Sequence, residues 1–317
     1  MSGPPPILAI VGATATGKSA LALELAEALE GEIINADALQ VYRGFDIGTA
    51  KPGAAERARV PHHLIDILEP HERYSAGDFA RRARDTIEEI RSRGRLPIVV
   101  GGSGLYLRAL FEGISPIPPG DPEVRERLRE RLEAEGLPAL AAELRERDPE
   151  TAARLPGGDT QRILRALEVV LVSGEPLSAY ISRQPFGAQR IEAIRVGLTL
   201  PRGILYDQIV GRVAQMVQKG WVEEVASLLS RGLSPGLPAF QAIGYRQLAQ
   251  YLEGTWSLDR AIAETIRATR RFAKRQETWF RKETDITWFS AQDTNNRLLF
   301  YRVLDYAKSR GPGRANG

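Results

Sequence analysis

Gly12-Ala13-Thr14-Ala15-Thr16-Gly17-Lys18-Ser19 is a complete G-x-x-x-x-G-K-[ST] phosphate loop. Its two glycines let the backbone curl round a phosphate, and the N–H groups at the start of the following helix point at it. Lys18 adds a positive charge, and the Ser19 hydroxyl is placed to ligand a divalent cation. The apolar run Ile7–Val11 before the loop and Leu21–Leu29 after it supply the strand and helix that the motif requires. The motif alone leaves open which phosphate compound it holds and which bond breaks.

Other residue types capable of chemistry recur after strand-like runs. Asp37, in Asn35-Ala36-Asp37-Ala38-Leu39-Gln40-Val41-Tyr42, follows the run Glu32–Asn35, and the topology would set it beside the phosphate loop. There it could ligand magnesium, accept a proton from a substrate, or cap a helix, and spacing alone leaves these open. Gly101-Gly102-Ser103-Gly104-Leu105-Tyr106 follows the run Leu96–Val100 and offers a second glycine turn with a hydroxyl. Either it is a tight strand-to-helix turn, or both turns face one polyanion. The densest basic stretch, Arg267 to Lys282, interleaves Arg270, Arg271, Lys274, Arg275 and Arg281 with Phe272, Trp279 and Phe280. That pattern suits a nucleic-acid backbone with some stacking, or a solvated helix with snorkelling arginine stems. His62 and His63 lack partners at metal spacing and read as structural.

These residues need a frame to bring them together. Strand-like runs at Ile7–Val11, Glu32–Asn35, His63–Ile67 and Leu96–Val100 alternate with helical patterns, including an amphipathic stretch from Ala76 to Arg93 with Phe79, Ala83, Ile87 and Ile90 on one stripe. This order predicts a parallel sheet covered by helices, with ligands bound outside the carboxyl ends of its strands. After Ser115–Pro122 the chain becomes rich in Arg, Glu, Leu and Ala with no strand pattern, predicting an all-helical insert up to about residue 190. Its alternating Arg and Glu, as in Glu123–Arg131, read as a solvated, salt-bridged surface. Ala193–Leu200 returns as a strand and long helices follow, with fraying expected after about Tyr306. The expected parts are 1–120, 121–190 and 191–317.

At 317 residues the chain is long enough for a substantial core, and its net charge of +3 is small for that size. It has no cysteine, which removes disulfides, thiolate metal sites and cysteine nucleophiles. No apolar run reaches membrane-spanning length. Met1–Pro6 reads as a short flexible lead rather than a signal peptide, so a cytoplasmic protein is expected.

Taken in order, these segments resemble the tRNA dimethylallyltransferase, or tRNA isopentenyltransferase, family. The resemblance runs through the phosphate loop, Asp37–Tyr42, Asp46-Ile47-Gly48-Thr49-Ala50-Lys51-Pro52, Pro61–Asp66, Tyr74–Phe79, Gly101–Tyr106, Arg162–Glu168, Leu205–Gly220, Gln241–Tyr245 and Thr269–Trp279. It implies an α/β fold, a P-loop NTPase-like parallel sheet flanked by helices, with an all-helical insert and a helical C-terminal part. It also implies a reaction: the loop Gly12–Ser19 holds the diphosphate of dimethylallyl diphosphate and releases it. The dimethylallyl group then passes to the exocyclic amine (N6) of the adenine 3′-adjacent to the anticodon in tRNA. By motif position, Asp37 is the base, and Ser103 and Arg212 assist the departing diphosphate with Lys18. Mg²⁺ sits on the diphosphate near Ser19. The same resemblance assigns tRNA contacts to Asp37, Gln40, Gln161, Gln241, Tyr245, Arg246, Thr269, Arg270, Lys274, Arg275, Gln276 and Trp279, which would grip the anticodon stem-loop. A monomer and no membrane partner are expected.

The chain departs from the family pattern at Ala38, where Ser is common, at Ser103, where Thr is common, and at Pro156-Gly157-Gly158-Asp159, where a His-Pro-Asn-Asp run is common. Without the resemblance, a small-molecule kinase is the natural reading of the phosphate loop. An adenylate isopentenyltransferase would share the core motifs but not the long insert and basic C-terminal helix. A non-catalytic RNA-binding switch would leave Asp37 and Arg212 without work.

Overall fold

The computed structural model describes residues 6–185, 187–292 and 296–310. Most of the expected lead, residues 1–5, lies outside the described residues, as do residues 311–317.

The chain divides into two compact units. One comprises the described residues up to Leu110 together with those from Ile191 onward, and the other is Phe111–Arg190. The first opens with β1 (Ile7–Gly12), α1 (Lys18–Ala28), β2 (Gly31–Asn35), α2 (Ala54–Arg59), β3 (His62–His63), α3 (Ala76–Ser92), β4 (Leu96–Gly101) and α4 (Gly104–Glu112), which runs into the unit boundary. The second holds α5 (Pro122–Glu135), α6 (Leu137–Arg147), α7 (Pro149–Arg154), α8 (Thr160–Ser173) and α9 (Leu177–Arg183). The first unit then resumes with β5 (Ala193–Thr199), α10 (Arg202–Gln218), α11 (Trp221–Ser230), a 3-10 turn at Pro238–Gln241, α12 (Tyr245–Leu252), α13 (Leu258–Phe280), β6 (Thr287–Ser290) and α14 (Asn296–Arg310).

The six strands form one parallel sheet in the order β3-β2-β4-β1-β5-β6. Successive strand residues point to opposite faces, and both faces are covered. Leu8, Ile10, Ile33, Ile98 and Val100 pack with Leu21 and Leu25 of α1 and with Leu299 and Val303 of α14. Ile7, Ala9, Ile34 and Val99, in the alternate positions, are equally buried. The register sets Val11 opposite Gly101, Gly12 opposite Leu198 and Asn35 opposite Val100. The carboxyl ends of β1, β2, β4 and β5 therefore meet at one edge, where a doubly covered parallel sheet binds its ligands. The C-terminal helices build a second core in this unit, in which Trp221, Phe240, Tyr245 and Leu248 pack against Val41, Tyr42 and Phe45.

The structure corrects several expectations. β3 ends at His63 because Leu64 and Asp66 take positive φ, 59° and 55°, which turns the chain out of the sheet instead of extending it to Ile67. The helical unit begins at Phe111 rather than after residue 120. Ser115 donates to the Gln184 carbonyl at 2.7 Å, and Gln184 donates to the Ile114 carbonyl at 3.1 Å, tying that stretch to the end of the insert. α14 continues past Tyr306 to Arg310, because Val303 and Ala307 bury against the sheet cluster. The insert has its own core of Val124, Leu128, Leu140, Leu144, Ile163 and Leu167. In the atypical Pro156–Asp159 turn, Asp159 caps α8 by accepting from the Arg162 N–H.

Candidate active site

The phosphate loop takes its shape from backbone angles that few residues tolerate. Gly12 has φ 141°, and a Cβ there would lie 2.6 Å from the Leu198 carbonyl oxygen of β5. Ala15 and Gly17 also have positive φ, 63° and 87°. Gly17 occupies the N-cap of α1 with no side-chain cap, so the first N–H groups of that helix remain available to an anion. Inside the loop, the Ala13 carbonyl accepts from Thr16 Oγ1 at 2.9 Å and from Lys18 Nζ at 2.5 Å. Burial, reinforced by the nearby Arg212 and opposed by Asp37, pulls the Lys18 ammonium down to about 7.

The loop borders a cavity of about 770 Å³ lined also by Asp37, Gln40, Gly102, Arg212 and Gln276. Asp37 stands where β2 ends, half-buried, and its Oδ1 accepts from the Leu39 N–H at 2.9 Å. No helix begins there, so the helix-cap alternative is excluded and the carboxylate holds only a local turn. Arg212 comes from α10 and is coupled electrostatically to both Asp37 and Lys18. Burial lowers its pKa while Asp37 opposes the shift. A carboxylate and two cations thus share one cavity at the mouth of a phosphate loop. Ser103 begins the turn into α4, where its carbonyl accepts from the Leu107 N–H at 3.1 Å, and it is not among the cavity-lining residues.

The lowered Lys18 has a measurable consequence. Above about pH 7 the free side chain is largely neutral, and an anion seated in the loop favours its charged form. Binding of inorganic pyrophosphate should therefore take up a proton, and its affinity should fall as pH rises through that value. Calorimetry at about pH 8 in buffers of different protonation enthalpy checks this against Lys18→Met. Equal proton uptake in the two proteins would remove Lys18 from the linkage.

The residues assigned to RNA divide. Gln161 on α8, Gln241, Arg246, Lys274 and Arg275 are exposed. Thr269 donates to the Thr265 carbonyl of its own helix at 2.8 Å, and Arg270 lies over the Tyr206 ring at 4.9 Å. Trp279 packs onto the second glycine turn, since a Cβ on Gly104 would meet its indole at 2.3 Å. Gln40 donates through Nε2 to the carbonyls of Thr49 and Ala50 at 3.0 and 3.2 Å.

Tyr245 and Gln276, by contrast, are buried, and Gln276 lines the same cavity as Asp37 and Arg212. Tyr245 donates to Glu224 Oε1 at 2.6 Å and accepts from the Gly48 N–H at 3.1 Å; burial and the neighbouring Glu224 push its hydroxyl far up. Gln276 bonds to both glycine turns.

Sequence reasoning missed the groups that hold Asp46 and Ile47, which line the same cavity as Asp37. Glu224 of α11 accepts from the N–H groups of Asp46 and Ile47 at 3.1 and 2.8 Å. Lys51, its side chain 1% exposed, donates to the Tyr42 carbonyl at 2.7 Å, Asp46 Oδ1 at 2.5 Å and Asp66 Oδ1 at 2.6 Å. Asp46, Lys51 and Asp66 were visible as charges in quoted motifs, but nothing in their spacing shows that they meet. His63 Nε2 lies 2.7 Å from Glu32 Oε2, which also pairs with Arg93.

The family described as IPP transferase matches residues 40–283. The chain belongs to this family. A second family description, isopentenyl transferase, matches residues 5–72. Among curated relatives, the tRNA dimethylallyltransferase of Syntrophobacter fumaroxidans is 50% identical over 92% of this chain and 85% of its own length. That of Halorhodospira halophila is 52% identical, covering 91% and 94%. Among solved structures, the tRNA isopentenylpyrophosphate transferase of Bacillus halodurans superposes with TM-score 0.70 at 39% identity, covering 96% of each chain. A eukaryotic dimethylallyltransferase acting on tRNA gives 0.80 at 26% identity, over 97% of this chain and 81% of that one. The IPP transferase match thus includes Gln40, Arg212 and α13, while Lys18 and Asp37 lie within the isopentenyl transferase match.

Proposed function

We propose that this protein transfers the dimethylallyl group from dimethylallyl diphosphate to N6 of the adenine 3′-adjacent to the anticodon in tRNA, releasing diphosphate. The observation that carries the reading is the single cavity that joins the phosphate loop to Asp37 and Arg212. Family membership supports the choice of a prenyl donor over a nucleotide. A kinase would break a P–O bond of a nucleotide held in the same loop, and the loop, Asp37 and Arg212 around one cavity would serve either reaction, so it is the family that decides for the prenyl donor.

The diphosphate lies against the loop N–H groups and Lys18. As the allylic C–O bond breaks, its electron pair leaves on the diphosphate oxygen, where Lys18 and Arg212 offset the growing charge. The adenine amine forms the new N–C bond, and Asp37 takes the proton that nitrogen loses. An adenine stacked in the anticodon loop has to be turned outward to reach the cavity. Gln241, Arg246, Lys274 and Arg275, all exposed, are the residues we assign to the RNA strand, with phosphate contacts dominating at the lysine and arginines.

The donor set fits magnesium bound mainly through its substrate. Among the described residues no cluster of three His, Asp or Glu forms a cation cage, while Ser19 lies exposed at the loop and lines the same cavity as Asp37. Ser19 would hold the ion, which when bound adds positive charge to the departing diphosphate. No helix among the described residues is long and apolar enough to cross a membrane. We read the protein as able to act as a monomer, since one chain brings Lys18, Asp37 and Arg212 to one cavity, and as cytoplasmic because its proposed tRNA substrate is met there.

The test is tRNA mass. Purified protein, dimethylallyl diphosphate, magnesium and unmodified tRNA should give tRNA heavier by one prenyl unit, with no prenylated product when AMP replaces tRNA. Bound but unmodified tRNA would overturn the reading and make ATP the next ligand to test.

A further inference from the structure

Gln276 sits in the most basic stretch of the chain yet points the other way from its charged neighbours. On α13 it shares a buried stripe with Ala273 and Phe280, whereas Lys274 and Arg275 are exposed. A glutamine on a buried stripe must find partners for both ends of its amide. Here Oε1 accepts from the Thr14 N–H of the phosphate loop at 2.8 Å, and Nε2 donates to the Gly102 carbonyl of the second glycine turn at 2.9 Å.

We infer that Gln276 is a positioning residue for the diphosphate: a brace from α13 that fixes the phosphate loop against the turn after β4. The inference rests on the transferase reading for its substrate. The loop has reason to need such a brace. Ala15 holds a left-handed backbone that costs an L-residue energy, so the curl is not the conformation the loop would choose unaided. Thr16 and Lys18 both bond to Ala13, which leaves Thr14 held by Gln276 from outside the loop. With the Thr14 N–H engaged in this way, an anion is left to the N–H groups that follow it and to the start of α1.

The brace also accounts for the second glycine turn. A Cβ on Gly102 would lie 2.2 Å from Gln276 Nε2 and 3.1 Å from the Gly12 carbonyl oxygen. The missing side chain at Gly102 is therefore what admits the amide between the two turns. The turn earns its glycine by receiving α13, whether or not it also touches the polyanion.

Two variants separate positioning from RNA contact. Gln276→Leu keeps similar bulk and removes both hydrogen bonds. Kd for inorganic pyrophosphate with magnesium and KM for dimethylallyl diphosphate should each rise about tenfold, the scale of losing one to two hydrogen bonds, while kcat falls less. Affinity for tRNA should stay within about twofold. Weakened tRNA binding with unchanged pyrophosphate affinity would return Gln276 to the RNA surface and overturn the inference, as would no change in either. Gln276→Glu keeps the acceptor for Thr14 but sets a carboxylate against the Gly102 carbonyl. Its pyrophosphate affinity, relative to the unaltered protein, should recover as pH falls and that carboxyl regains a proton to donate. If Gln276→Leu does not fold, this recovery decides, and its absence overturns the brace. Pyrophosphate binding does not depend on turnover. A brace supported by binding in a protein that never prenylates tRNA would leave the inference standing and remove the transferase reading.

Discussion

Asp37→Asn should lower the turnover of prenyl transfer by about 10² to 10⁴, the usual contribution of a positioned acid–base group, with tRNA affinity nearly unchanged. The substitution keeps the size of the side chain and an oxygen able to accept from the Leu39 N–H, so the turn after β2 should persist. What disappears is a group that can receive the proton of the adenine amine. The charge balance with Arg212 and Lys18 also shifts, since Asp37 is the anion that favours both cations. Single-turnover assays with saturating tRNA separate chemistry from binding. A loss divided equally between tRNA affinity and rate would assign Asp37 to RNA recognition instead.

Arg212→Gln should reduce kcat/KM for dimethylallyl diphosphate by about 10² to 10³, comparable to removing one preorganised donor from a developing oxyanion. The argument is electrostatic. Arg212 is held beside Lys18 at a cost, because burial and like charge disfavour the two cations when no anion lies between them. A leaving diphosphate turns that cost into attraction as its charge grows. A second readout follows from the same geometry. Removing the guanidinium relieves the repulsion on Lys18, so the pH at which pyrophosphate affinity begins to fall should move upward. An unchanged pH profile together with unchanged turnover would remove Arg212 from the site. Thermal stability should not drop, since the variant loses a half-buried charge.

Much of this molecule was legible from periodicity and punctuation. The phosphate loop, the strand ends that carry Asp37 and Gly101, the amphipathic α3 and the helical insert all follow from local patterns. Short elements were not. β6, only Thr287–Ser290, is too brief for its alternation to stand out, and its place at the sheet edge comes from pairing with β5. The missed continuation of α14 has the same origin: what extends it is burial of Val303 and Ala307 in a cluster shared with α1, β5 and β6.

The site shows the same division. Motif order picked out Lys18, Asp37 and Arg212, and the cavity contains all of them. It also grouped Tyr245 and Gln276 with the RNA contacts, without showing that both side chains are buried. A residue's neighbours along a helix report its distance in sequence, not the direction of its side chain, and one helical position separates solvent from core. Thus Arg275 is exposed while Gln276 reaches Thr14 and Gly102. In the same way Lys51 and Glu224 appear in sequence as ordinary charges. Folding makes them the posts that hold Asp46 and Ile47 at the cavity that Asp37 also lines.

By itself, the sequence determined the phosphate chemistry, the alternation of strands and helices, and the family, because each is written in residue types at short fixed spacings. Only the tertiary structure decided which polar side chains turn inward and what they brace. Those contacts join residues as far apart as Thr14 and Gln276, and their geometry exists only once the sheet has brought β1 and β4 together beneath α13.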